Sequence, residues 1–98
     1  MASELFVFTR CHAKEGLQRS MAATIQEVLH PTRQEPGCLM IDAFGSTRDQ
    51  RLFYIHSRWK DEAAFDRHLQ LPHTLRFLEA IQVSIDQPMD VTRAELLR

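Results

Sequence analysis

The chain is expected to be an α+β protein with element order β-α-β-β-α-β, forming one four-stranded antiparallel sheet with both helices on one face. Three observations predict this. An unbroken apolar run opens the chain at residues 5–8, apolar residues then recur at helical spacing from Leu17 to Leu29, and two strand-like stretches precede a helix interrupted at Pro72.

Leu5-Phe6-Val7-Phe8 is apolar without alternation, as in a strand covered on both faces. Leu17, Met21, Ile25, Val28 and Leu29 form one stripe while Gln18, Arg19, Gln26 and Glu27 fill the other side, so residues 15–33 read as an amphipathic helix. Pro31 and Pro36-Gly37 mark its stop. Residues 38–45 and 51–59 read as two strands, joined through Gly45-Ser46-Thr47-Arg48-Asp49-Gln50, whose Gly, Ser and Asp suit a hairpin loop. Asp61 is placed to cap the next helix, Glu62 favours the positive end of its dipole, and Ala64, Phe65, His68 and Leu69 form the inward stripe. Pro72 cannot continue the hydrogen-bond ladder but suits the first residue of a new turn, so the helix kinks or restarts there. Leu75, Phe77, Leu78 and Ile81 carry it to residue 82. Val83, Ile85 and the segment before Pro88 are expected as the last strand, with residues 89–98 as the C-terminal tail of a single domain, 1–98.

This order is the ferredoxin-like split βαβ unit. One layer of helices covers one sheet face, so if Val7, Thr9, Ser57 and Trp59 face the helices, then Phe6, Phe8, Leu52 and Tyr54 lie bare. A second copy of the same sheet is the simplest lid, and a homodimer is expected.

Composition narrows the function classes. A domain of this size buries only about two-thirds of the surface its unfolded chain exposes, which also favours association. The net charge is -1 with no Lys/Arg cluster, so no nucleic acid or anionic membrane is expected as a partner. No apolar run approaches the roughly 20 residues of a membrane span, and Met1-Ala2-Ser3-Glu4 carries no basic leader region, so a cytoplasmic location is expected. Cys11 and Cys38 lack metal or redox spacing and read as reduced thiols. The three Gly residues form no phosphate-binding loop, so no nucleotide or flavin cofactor is expected. His68 and His73 stand five apart across a proline, with no carboxylate or third His having a fixed place beside them, so no metal site is expected either. His12 and His30 read as surface residues, and His56 as a packing or interface residue.

The stretch from Phe53 to His73 resembles the signature of the antibiotic biosynthesis monooxygenase (ABM) family. There a strand ending near Glu-x-Trp leads into a helix with an Ala-Ala/Phe core, a His, and then Pro-His opening a second helix. The chain carries Ser57-Arg58-Trp59, Ala63-Ala64-Phe65, His68 and Pro72-His73 in that order. Upstream, Glu35-Pro36-Gly37-Cys38 resembles the family's turn into its second strand, and Lys14-Glu15-Gly16 its Gly before the first helix.

The resemblance implies a dimeric α+β barrel, each subunit keeping a pocket between its own sheet and helices. It implies Trp59, His68 and His73 as catalytic residues: Trp59 to stack on a planar substrate and donate its N–H, one of the two His to move a proton. Thr9, Ser57, Phe53 and Phe65 are the expected substrate-binding residues. Ser57 stands where many members carry Glu, and a hydroxyl has no useful acidity near neutral pH. The chain has no Asn, although the quinone-forming and haem-degrading branches both use one; Thr9 stands at the haem branch's Asn position and Leu78 near its haem ligand. The implied activity is a cofactor-independent monooxygenase reacting a small aromatic, phenolic or carbonyl compound with O2. Isomerisation of a small carbonyl metabolite and a non-catalytic dimeric ligand-binding or stress-response module remain open alternatives.

Overall fold

The computed structural model describes residues 3–98. Strand β1 (Leu5–His12) has partners on both sides, and its odd residues Leu5, Val7 and Cys11 are buried under the helices. It pairs along its whole length with β3 (Leu52–Trp59), from Leu5 opposite Trp59 to His12 opposite Leu52. On its far side β3 pairs with β2 (Cys38–Gly45), and β1 pairs with β4 (Asp90–Ala94), giving an antiparallel sheet of order β2-β3-β1-β4. The strand between β1 and β2 separates Cys11 from Cys38, and both thiols are free.

Helix α1 (Gln18–Arg33) begins after Gly16, whose φ of +87° makes the turn from β1. Met21, Ile25 and Val28 form its buried stripe. Pro31, expected as a stop, lies inside the last turn; the helix ends at Arg33, and Gln34 donates to the Pro31 carbonyl at 3.2 Å. Helix α2 (Glu62–His68) is capped by Asp61, which accepts from the Ala64 N–H at 2.8 Å. Helix α3 (Pro72–Gln82) restarts after an extended Leu71, with Pro72 at the position where a missing N–H costs least. Among the described residues no helix is long and apolar enough to cross a membrane.

The expected last strand is corrected. Residues 83–88 turn the chain off α3: the Ser84 N–H bonds Ile81 O at 2.9 Å, Asp86 bonds back to His12, and Ile85 makes a lone bridge to Ala13. The strand is Asp90–Ala94, inside the stretch expected as a tail, and it takes its conformation from pairing with β1 between Phe6 and Arg10. Leu97 beyond it is 95% exposed.

Two apolar clusters lie between sheet and helices. Cys11, Ala13, Met21, Ile25, Ile41, Ile55 and Ile81 form one, and Leu5, Val7, Trp59, Ala64 and Phe65 the other. On the opposite sheet face two of the four residues expected bare, Phe8 and Tyr54, are exposed together with Phe44, while Phe6 and Leu52 are half-buried; the His56 ring stacks on Phe8 at 4.7 Å. His12, expected at the surface, is instead buried. Its Nδ1 contacts Asp86 at 2.7 Å and its Nε2 contacts Asp49 at 2.9 Å, tying the end of β1 to the β2–β3 loop and to the approach to β4.

Candidate active site

The site is assembled by a close approach of backbone to helix. After α1 the chain turns through Glu35-Pro36-Gly37, and Gly37 O accepts from the Lys60 N–H at 2.9 Å. A Cβ at position 37 would lie 2.3 Å from the Ala64 Cβ, so only glycine lets this turn rest against α2. That contact delivers Glu35 to the junction of α2 and α3. There α2 ends in His68, and the Pro72 restart sets His73 in the first turn of α3.

Glu35 Oε2 lies 2.7 Å from His68 Nδ1 and 2.7 Å from His73 Nε2. Thr74 Oγ1 is 3.2 Å from His68 Nδ1. The Glu35 and His68 side chains are only 9% and 11% exposed, against 18% for His73, which places His73 on the outer rim. Burial pulls the His68 pKa below the ordinary imidazole value of 6.5, outweighing the attraction of Glu35 and adding to the repulsion of His73. His68 is therefore neutral at pH 7. A neutral ring beside a carboxylate acceptor keeps its proton on Nδ1 and its lone pair on Nε2. The hydrogen bonds of His68 all fall on Nδ1, which leaves Nε2 unpaired among the described residues.

His68 also borders a cavity of about 60 Å³ between sheet and helices, with Thr9, Ile55 and Ser57 from the sheet, Thr32 from α1, Phe65 from α2, Thr74 and Leu78 from α3, and Met89 and Val91 at the β4 edge. The volume suits a few waters or a small compound and falls below the roughly 300 Å³ at the lower end of ligand pockets. Its walls are apolar, with hydroxyls converging from several sides. Ser57 Oγ accepts from Trp59 Nε1 at 3.0 Å and keeps its own proton to donate, and Thr32 Oγ1 is buried without a partner. A larger open hollow, about 540 Å³, lies between Ser3–Leu5, Asp61–Ala63 and Arg93–Glu95, but it carries no histidine, and Arg93 is already paired with Asp66 at 2.9 Å.

The expected residues divide. Thr9, Ser57, Phe65 and His68 meet at the cavity. Trp59 does not line it: the indole is fully buried behind Ser57, its ring 4.6 Å from His68 and 5.5 Å from Phe65, and its N–H is already used. Phe53 packs beside Ala22, Ile25 and Leu29 in the other cluster, away from the cavity. His73 borders a separate outer hollow with Thr24, Glu27, Val28 and Arg76. The expectation that no carboxylate has a fixed place beside the two histidines is overturned by Glu35. Its Glu-Pro-Gly turn was legible in the sequence, but only as a turn; the signal lay in a Gly directly after a Pro, two residues beyond an acid.

Residues 5–80 match the family described as antibiotic biosynthesis monooxygenase. Among curated relatives, sll1783 of Synechocystis sp. is 26% identical over 78 residues, 80% of this chain but only 53% of that protein, so the chain spans about half of it. The Bacillus subtilis protein named "Putative monooxygenase YcnE" is 31% identical over 71 residues, covering 72% of this chain and 75% of its own. Among solved structures, PA3566 from Pseudomonas aeruginosa superimposes with a TM-score of 0.92 at 26% identity, covering 100% of this chain and 98% of that one. With the fold, the Trp-helix-His order and more than half the chain matched, this protein belongs to the antibiotic biosynthesis monooxygenase family.

Proposed function

We propose that the protein is a cofactor-independent monooxygenase for a small phenolic, enolic or carbonyl compound, with His68 as base and Glu35 as the group that orients it. One observation carries the reading: the imidazole that borders the cavity is bonded through its other nitrogen to a buried carboxylate at 2.7 Å. In this mechanism Nε2 takes a proton from the substrate, and Glu35 stabilises the imidazolium that forms. Ser57 and Thr9 donate to the developing oxyanion, and the apolar walls exclude water. The substrate anion gives its electrons to O2, and the adduct loses water, so a CH2 group becomes C=O while one oxygen atom enters the product and the other leaves as water. No external reductant is consumed.

The small cavity favours a compact substrate over a polycyclic one. It also supports a second reading, proton transfer within a small carbonyl compound without O2, which needs the same base and donors. We further propose that the bare face carrying Phe8, Phe44 and Tyr54 is the homodimer interface. Sedimentation as a monomer at micromolar concentration would remove that part.

The test is turnover of a panel of small phenols, enols and β-dicarbonyls in air and under nitrogen, with an oxygen electrode. O2 consumed in step with product supports the oxygenase, and equal turnover under nitrogen supports the isomerase. Turnover that survives His68→Gln unchanged defeats both.

A further inference from the structure

We propose that Glu35, His68 and His73 form a binding site for one divalent transition-metal ion of the zinc(II) or cobalt(II) class, using Glu35 Oε2, His68 Nδ1 and His73 Nε2. Each residue presents one donor atom, and the three donors lie within 4.8 Å of one another. Two imidazole nitrogens and one carboxylate oxygen are the donor set that borderline metals favour.

The present spacings show what binding requires. Both nitrogens stand 2.7 Å from the shared oxygen, at hydrogen-bond distance. Donors held about 2.1 Å from a tetrahedral ion lie roughly 3.4 Å apart, so each ring nitrogen must draw back from Glu35 by some tenths of an ångström while the two nitrogens, within 4.8 Å of each other, close toward one another as the ion replaces the protons between them. His73 has room for this, because it borders an outer hollow beside Thr24 and Val28. The other anchors are fixed by the Gly37–Ala64 contact and by the end of α2.

The His12 cluster provides the contrast. It also joins a histidine to two acids, but Asp86 and Asp49 bond opposite ring nitrogens, so their oxygens cannot converge on one ion. Among the described residues, the Glu35 group alone offers three converging ligands.

Occupancy has a consequence that rests on the base role proposed above. To ligate through Nδ1, neutral His68 must carry its proton on Nε2, the nitrogen assigned to the substrate. The ion and the proton-accepting form of His68 are therefore mutually exclusive.

The experiment titrates chelator-treated, dialysed protein with Co2+, following the visible d–d absorption, and with Zn2+, following the melting temperature. One equivalent is expected to saturate the cobalt signal, and zinc to raise the melting temperature. Glu35→Gln and His73→Gln should each weaken binding by at least about 10-fold, while Asp49→Asn leaves it unchanged. Nitrogen-15 NMR of the zinc form should show the His68 proton on Nε2. Absence of saturable absorption up to about 1 mM Co2+, or equal binding by wild type and both ligand variants, overturns the site. A His68 proton that stays on Nδ1 in the zinc form overturns the exclusion. None of these readouts uses a substrate, so a failure of the monooxygenase reading leaves them intact.

Discussion

Two buried histidine clusters in this small domain use the same parts in opposite proportions. His12 has two carboxylates, one on each ring nitrogen, while His68 and His73 share one carboxylate oxygen. Hydrogen bonds that the protonated His12 ring donates to Asp86 and Asp49 raise its pKa, and both acids are held below the ordinary carboxylate value. At His68 burial prevails and the pKa falls. A ring with both nitrogens engaged holds three segments together and has nothing left to offer chemistry. A neutral ring with one nitrogen engaged is oriented and still has a lone pair. The ratio of acids to imidazoles thus separates a structural histidine from an available one.

The largest break in this comparison comes from exchanging the two rings for glutamine. His68→Gln should lower kcat/KM by roughly 100- to 10,000-fold, the usual range for a positioned base, whereas His12→Gln should change it only a few-fold. Comparable losses in both variants would dissolve the distinction. In wild type the rate should fall on the acid side, with the limb below pH 6.5 because the His68 pKa is depressed.

Gly37→Ala tests whether one site depends on a close approach that the other lacks. The new Cβ meets Ala64 at 2.3 Å, and relief by backbone movement should cost about 1–3 kcal/mol in chemical denaturation. Glu35 should move with the turn, lowering kcat more than the melting temperature alone explains. The His12 cluster should be untouched, with its pH dependence of stability unchanged.

That pH dependence is the next measurement. Because the folded pKa of His12 is raised, its contribution is fully present below 6.5 and is lost as pH rises through the folded value. Asp49 and Asp86, with lowered values, contribute above 3.8 and lose that contribution as pH falls through their folded pKa values. The clamp is therefore strongest between those limits. His68 has the opposite sign, since its stability falls as pH drops below 6.5. Denaturant midpoints across pH 3–9 should show His12→Gln removing the alkaline decline and His68→Gln removing the decline just below 6.5.

Trp59→Phe should give the smallest effect on turnover. It removes the N–H donated to Ser57 and leaves that hydroxyl without its buried partner, at a cost of about 1–3 kcal/mol. Turnover should change less than stability, because the indole stands behind the cavity wall. A loss of activity with unchanged melting temperature would restore Trp59 to direct contact with substrate.

Most of the fold could be read from residue order. The turn residues at Pro36-Gly37 and Gly45–Gln50 located β2 and β3 to within a residue, and Asp61 and Pro72 marked the starts of α2 and α3. Strand β4 could not be read, because Asp90-Val91-Thr92-Arg93 has little apolar periodicity and is made a strand by β1. In the site, Thr9, Ser57, Phe65 and His68 were legible because strand and helix periods fix which way they face. Glu35 was not: its Glu-Pro-Gly sequence marks a tight turn, but the histidine it meets stands 33 residues away and has no local trace. His12 failed for the same reason, with partners 37 and 74 residues away. Trp59 was legible as inward-facing, but the depth that puts it behind Ser57 rather than beside it is a property of packing.

The contact between Gly37 and Ala64 makes two positions, 27 apart in the chain, answer to one allowance of space. Neither is free to vary alone. In a library randomised at both, functional clones should carry Gly at 37 wherever residue 64 has a side chain, and Ala at 37 only beside Gly at 64, because the next atom there, the Cα at 3.5 Å, is already at ordinary contact distance. The smallest residues at 64 should dominate in turn. Tolerance to substitution at a position that touches no substrate would then report how closely the acid is held to its histidine.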